Sequence, residues 1–359
     1  MITRPDSKVR RMSARTRLVL AGLAIAAVPL SLAGCSSKSE TVDPANPERT
    51  PVSVALDWYA NPDHAGFLVA RDEGMFDDAG LEVDLQEPTD PSLPLKLVAA
   101  GEVDLAISYQ PEVLLAREKG SDIVAVASLV GRPLTSMIWL PKSKIKSVDD
   151  LKGKTVSTAG IPYQKAYLDT ILQRAGVSPE TVKTVGVGQS LVPSIIGGKA
   201  DATLGPFWNI EGVTLKLEGR KPTIEPVDRL GVPTYDELVL VVNRKSLAED
   251  PDKICLFISA LARGTATAVA QPNLANAAVI AANPALGRDR KTTRAQVRAT
   301  LPLLAGKGGS RPFGYMSSVE WQRFTNWAFE NGVLGQSQRA VSALSNDYLP
   351  GECIEAGVD

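Results

Sequence analysis

Hydrophobic positions along this chain recur with two periods that take turns. Val52–Leu56 is a short apolar run of strand type ending at Asp57-Trp58. Gly66–Gly80 then sets Phe67, Leu68, Ala70, Met75 and Phe76 at helical spacing and closes on Gly80. The alternation continues with strands at Leu81–Leu85, Leu105–Ser108, Ile123–Val130 and Met137–Leu140. Between them stand helices at Pro94–Gly101 and from Pro111 to Gly120, the latter opened by a proline where the first helical position tolerates one. A second series follows: a short capped helix at Ser147–Gly153, strands at Lys154–Ser157, Val182–Val187 and Thr203–Gly205, and helices at Ala166–Ala175, Leu191–Gly197 and Glu211–Leu217. Glu237–Val242 is a strongly apolar strand that returns toward the first series, and from Asp252 the pattern is helical, as in Ile254–Ala270 and Val319–Asn331.

Strands alternating with helices predict an α/β fold with mostly parallel sheets. The chain leaves the first series near Leu140 and returns near Leu238. This predicts one lobe from 52–140 plus 239–359 and a second lobe from 141–238, joined by two crossover segments that act as a hinge. Ligands of such folds sit beyond the carboxyl ends of the strands.

The N-terminus follows neither period. Residues 1–17 hold Arg4, Lys8, Arg10, Arg11, Arg15 and Arg17 against Asp6, and an apolar stretch from Leu18 to Ala33 follows. That is the layout of a secretory signal, and the stretch is shorter than a comfortable membrane span. It ends in Leu32-Ala33-Gly34-Cys35, which matches a bacterial lipobox. Residues 1–35 are therefore expected to be a lipoprotein signal peptide with lipid on Cys35, and 36–51, SSKSETVDPANPERTP, a solvated tether. The expected location is extracytoplasmic, held to the cell membrane by lipid. Export also bears on the other two cysteines, Cys255 and Cys353. They are either one disulfide pinning the C-terminal tail or two separate thiols, and an oxidising compartment favours the disulfide.

The 39 basic and 40 acidic residues leave a formal net charge of −1, with no excess to attract nucleic acid. Aromatic residues are only 5% of the chain, so their placement carries information. Many fall at strand ends: Trp58 after Asp57, with Asn61 and His64 close behind; Tyr109; Tyr163 after Gly160; Trp208, followed by Asn209 and Glu211; and Tyr235 before the returning strand. Aromatic faces stack flat rings and a few convergent polar groups orient them. Asp57, Trp58, Asn61, His64, Tyr109, Tyr163, Trp208, Asn209, Glu211 and Tyr235 are thus expected to bind a small heteroaromatic ligand. There is no GxxxxGK[ST], HExxH or GxSxG, Gly186-Val187-Gly188 is too little for a dinucleotide fingerprint, and one histidine builds no multi-histidine metal site. No cofactor, metal or catalytic group is expected.

The run VALDWYANPDHAGFLVARDEGMFDDAGLEVDL, residues 54–85, resembles the opening of the NMT1/THI5-like, thiamine-pyrimidine-type substrate-binding proteins. Gly101–Asp104, Ala125–Leu129, Asp150–Lys154, Gly198–Ala202, Trp208–Glu211 and Gly231–Leu238 extend the likeness over residues 52 to about 245. The resemblance implies a type II periplasmic-binding-protein fold and a monomeric receptor that hands its ligand to an ABC permease and its ATPase. It implies a thiamine-precursor pyrimidine, formylaminopyrimidine or hydroxymethylpyrimidine, with a riboflavin-type ring as the alternative. Trp58 and Tyr235 would wall the ring, Asn61, His64 and Glu211 would hydrogen-bond it, and Tyr109 and Trp208 would close the pocket. The same family includes a fungal pyrimidine synthase that consumes its own histidine and carries clustered cysteines. Here the cysteines stand apart at 35, 255 and 353, and the helix start where that histidine would be sought holds Pro111-Glu112.

Overall fold

The computed structural model describes residues 49–304, 306 and 312–353. The expected signal peptide, Cys35 and residues 36–48 of the tether lie outside the described residues. Thr50 and Pro51, expected at the end of the tether, already belong to the first strand.

Two five-stranded sheets form the two lobes. The strands are β1 (Thr50–Ala55), β2 (Leu81–Gln86), β3 (Leu105–Ser108), β4 (Ile123–Val130), β5 (Thr135–Trp139), β6 (Thr155–Thr158), β7 (Lys183–Gly186), β8 (Ala202–Phe207), β9 (Thr223–Pro226) and β10 (Leu238–Asn243). The helices are α1 (Ala65–Asp72), α2 (Pro94–Ala100), α3 (Gln110–Glu118), α4 (Pro162–Arg174), α5 (Leu191–Ile196), α6 (Glu211–Leu217), α7 (Arg244–Glu249), α8 (Pro251–Ala270), α9 (Pro272–Ala282), α10 (Arg290–Leu304) and α11 (Ser318–Glu330). The first sheet has the order β2-β1-β3-β10-β4 and the second β7-β6-β8-β5-β9.

Each sheet is mixed rather than mostly parallel. β1 pairs in parallel with β2 and β3, and β6 with β7 and β8. The strand that arrives from the other lobe enters fourth and runs antiparallel: β10 between β3 and β4, β5 between β8 and β9. This exchange makes the arrangement a type II periplasmic-binding fold. It also moves a boundary. Met137–Leu140 was expected to close the first lobe, but β5 pairs wholly within the second sheet, so the first crossing is the short segment 131–134. The second crossing is 227–237, ahead of β10.

Period-two burial explains the first sheet. Leu238, Leu240 and Val242 of β10 enter one core with α1 and α8, whereas Val239 and Val241 enter the other. All eight residues of β4 are buried although it lies at the sheet edge. The C-terminal segment covers that edge: the Ala125 amide donates to the Ala343 carbonyl, and the Ser128 amide to that of Gly314. Beneath the site, α1 and α8 approach closely at two glycines. A Cβ on Gly264 would lie 2.5 Å from the Ala70 Cβ and 2.6 Å from the Gly66 carbonyl oxygen. This close approach seats the start of α1, from which the first wall of the cleft hangs. Cys255 on α8 and Cys353 form a disulfide, with Cα atoms 6.0 Å apart.

Candidate functional site

The first wall grows from the end of β1. Asp57 is buried, and both of its carboxylate oxygens are occupied. The His64 Nε2 lies 2.8 Å from Oδ1, and the Tyr109 hydroxyl donates to Oδ2 at 2.7 Å. The Asn61 amide donates to His64 Nδ1 at 3.2 Å. A ring nitrogen that accepts carries no proton, so Nε2 holds it and donates to Asp57. Asn61 caps the turn Pro62–His64: its Oδ1 accepts from the Asp63 amide at 2.8 Å and its Nδ2 donates to the Tyr59 carbonyl at 3.1 Å. The polar atoms of this wall are mostly spent on one another.

The second wall forms where β8 gives way to α6 and β6 to α4. Gly205 takes φ +132, and a Cβ there would sit 2.9 Å from the Gln164 Nε2. Glycine meets both demands. The Gln164 Oε1 accepts from the Ala159 amide at 2.9 Å, which leaves its Nε2 toward the cavity. Glu211 opens α6, takes the Phe207 amide on Oε2 at 2.8 Å and lines the cavity. Burial raises its carboxyl above the ordinary range.

At the hinge, Glu237 ties the two crossings together. Its Oε2 accepts from the Leu134 amide at 2.7 Å, the Thr135 amide at 2.8 Å and the Tyr235 hydroxyl at 3.0 Å, and its Oε1 accepts from the Thr135 hydroxyl at 3.0 Å. Burial pushes this carboxyl up to about 7, against the pull of those donors. Burial likewise raises Asp63 to about 7, against the hydrogen bond from Asn209.

Between the walls lies a cavity of about 100 Å³. Of the residues expected to meet a ligand, it brings together Asp57, Trp58, Asn61, Tyr109, Tyr163 and Glu211. The other four lie outside the lining. His64 is fully enclosed, with both ring nitrogens held by the chain. Tyr235 joins a buried aromatic cluster with Tyr167 and Phe324 and spends its hydroxyl on Glu237. Trp208 donates its indole N–H to the Pro133 carbonyl and lies under Arg132. Asn209 reaches across to the other lobe instead. Asp63, Thr135, Gln164, Phe207 and Glu237 line the cavity without being among the expected ligand residues. Asp63, Gln164 and Phe207 stand in the same strand-end stretches as Asn61, Tyr163 and Trp208, but residue type did not single them out. Glu237 opens an apolar strand and gives no such signal.

Among the described residues, the lining carries four carboxyl groups, Asp57, Asp63, Glu211 and Glu237, and neither lysine nor arginine. Such a cavity suits a ligand richer in donors than in acceptors, and its aromatic faces suit a flat one.

The profile of the family described as "NMT1/THI5 like" matches residues 61–275. A "putative thiamine biosynthesis protein" of Haemophilus influenzae is 42% identical over 71% of this chain and 81% of its own length. A "formylaminopyrimidine-binding protein" of Halalkalibacterium halodurans is 35% identical over 88% of this chain and 95% of its own. Among solved structures, the periplasmic aliphatic sulphonate binding protein of Escherichia coli superposes with a TM-score of 0.65 at 14% identity, covering 83% of this chain and 98% of that one. That last likeness is one of fold.

Proposed function

Because the chain belongs to the NMT1/THI5-like family, we propose that it is the extracytoplasmic solute-binding component of an ABC importer for a thiamine-precursor pyrimidine, formylaminopyrimidine or a hydroxymethyl relative. The observation that carries this reading is a ring-sized cavity whose described lining is acidic and aromatic, holds no cation, and includes Glu211, whose carboxyl takes only backbone amides. An aminopyrimidine offers an exocyclic amine and, once protonated, a ring N–H, and the Glu211 carboxylate can accept from either donor. Trp58 and Tyr109 supply ring faces. A cavity of about 100 Å³ is of the order of one that holds a single benzene-sized ring, about 150 Å³. A three-ring flavin needs far more room, which disfavours the riboflavin alternative. The name of the 35% identical relative points the same way.

Capture fits better than transformation. An enzyme that consumed its own histidine would have to use His64, which is sealed in the first wall. The disulfide between Cys255 and Cys353 suits an oxidising compartment. Lipid on Cys35 would then keep the receptor beside its permease. Ligand selects the closed lobes by binding them better than the open ones.

Trp58 lines the cavity, so intrinsic fluorescence reads occupancy directly. Formylaminopyrimidine should give a saturable change that Trp58→Phe reduces, and riboflavin should give none. Absence of both a fluorescence change and a thermal shift with millimolar pyrimidine would overturn the reading.

A further inference from the structure

Away from the hinge, the two lobes meet across a seam of buried polar groups. Asn209, from the end of β8, is fully enclosed and does not line the cavity. Its Nδ2 donates to the Asp63 Oδ1 and to the Thr300 Oγ1, both at 2.7 Å. Those acceptors belong to the other lobe, one in the turn after β1 and one on α10. One helical turn before Thr300, Gln296 donates from Nε2 to the Ile210 carbonyl at 3.2 Å and to the Thr214 hydroxyl at 3.0 Å. Gln296 and Thr300 are 5% and 0% exposed, unusual places for polar side chains unless bonded.

We propose that Asn209, clasped by Asp63 and Thr300, together with Gln296 on the start of α6, forms an interlobe latch that sets how long the closed receptor retains its ligand. These bonds cross between lobes, so opening breaks them all and closure remakes them. Two latch partners, Asp63 and Ile210, also border the cavity. Ligand that packs against them stiffens the latch, and the latch in turn slows ligand escape. Asn209 and Gln296 are positioning residues: they act on retention through the lobes and not by touching the ligand. The retention half of this inference rests on the ligand-capture reading above.

The test uses Asn209→Ala, Gln296→Leu and the near-isosteric Thr300→Val, the last guarding against loss of folding. Stopped-flow fluorescence with formylaminopyrimidine should show release about tenfold faster for Asn209→Ala and about threefold faster for Thr300→Val, with association nearly unchanged. Release at the wild-type rate in all three variants would overturn the latch. Spin labels on unnatural amino acids at the exposed Glu102 and Lys183, one per lobe, read closure without ligand. The short-distance population should shrink in the variants, and a distribution identical to wild type would contradict the proposal. If wild type failed to bind the pyrimidine, the functional reading would fall while the distance measurement still decided the latch.

Discussion

The two walls of the cleft use their polar atoms in opposite ways. On the first, Asp57, Asn61, His64 and Tyr109 satisfy one another, so the wall is a preformed frame that presents ring faces. On the second, the Glu211 carboxyl takes only backbone amides, and the Gln164 Nε2 and the Tyr163 hydroxyl have no partner among the described residues. On the proposed function, one lobe would supply shape and the other hydrogen-bonding choice. A buried polar group that is already paired resists change, and one left open is available to a ligand. The contrast teaches that residue type at a strand end does not by itself make a ligand contact. What the neighbours leave unsatisfied decides it.

The largest effect should come from breaking the frame. His64→Ala leaves the buried Asp57 Oδ1 and the Asn61 amide without partners, with only Tyr109 still on Asp57, and should lower stability by about 3 kcal/mol and weaken pyrimidine binding at least about a hundredfold. Urea unfolding and calorimetry check the two together. Binding lost with stability intact would make His64 a ligand contact after all. On the other wall the pattern should invert. Glu211→Gln should cost about thirtyfold in affinity, ~2 kcal/mol, while unfolding free energy moves by less than about 1 kcal/mol. Tyr163→Phe should cost about fivefold in affinity with an unchanged melting temperature. Equal stability losses in both walls would erase the comparison.

The smallest effect is a pH dependence of stability. Glu237 and Asp63 stand near 7 when folded, against ordinary values of 4.5 and 3.8. Between those limits the folded protein binds protons that the unfolded chain has lost, so these groups favour the fold at low pH and that contribution fades as pH rises toward 7. Melting should therefore rise by roughly a few degrees from pH 7.5 to 5.5. Glu237→Gln should flatten the rise, because glutamine keeps an acceptor for the Leu134, Thr135 and Tyr235 donors and can donate to the Thr135 hydroxyl. A rise as steep as in wild type would remove Glu237 from the account.

The strand-and-helix alternation made both lobes legible, because burial period and element length agreed for nearly every element. β4 and α6 lie where the pattern put them, at Ile123–Val130 and Glu211–Leu217. β9, TIEP, is a four-residue edge strand with a terminal proline and carries almost no pattern in the sequence. β5 reads with the first lobe in the sequence because only four residues part it from β4, whereas its pairing partner, not its local sequence, fixes the sheet it joins. The helix expected to reach Gly80 stops at Asp72, since Gly74 turns to φ +71. In the site, strand-end position found Trp58, Tyr109, Tyr163 and Glu211. It could not foresee that His64 would be enclosed by Asp57 and Asn61 beside it, or that Asn209 would be taken by partners in the other lobe.

On the proposed function, one wall frames a single ring while Glu211 on the other meets its donors. Isothermal titration of the protein with formylaminopyrimidine, an analogue lacking the exocyclic amine, and riboflavin separates these roles. Formylaminopyrimidine should bind one to one, the analogue about thirtyfold or more weaker, and riboflavin should give no heat. Riboflavin binding with no heat from formylaminopyrimidine, or equal affinity for the analogue lacking the amine, would contradict these roles.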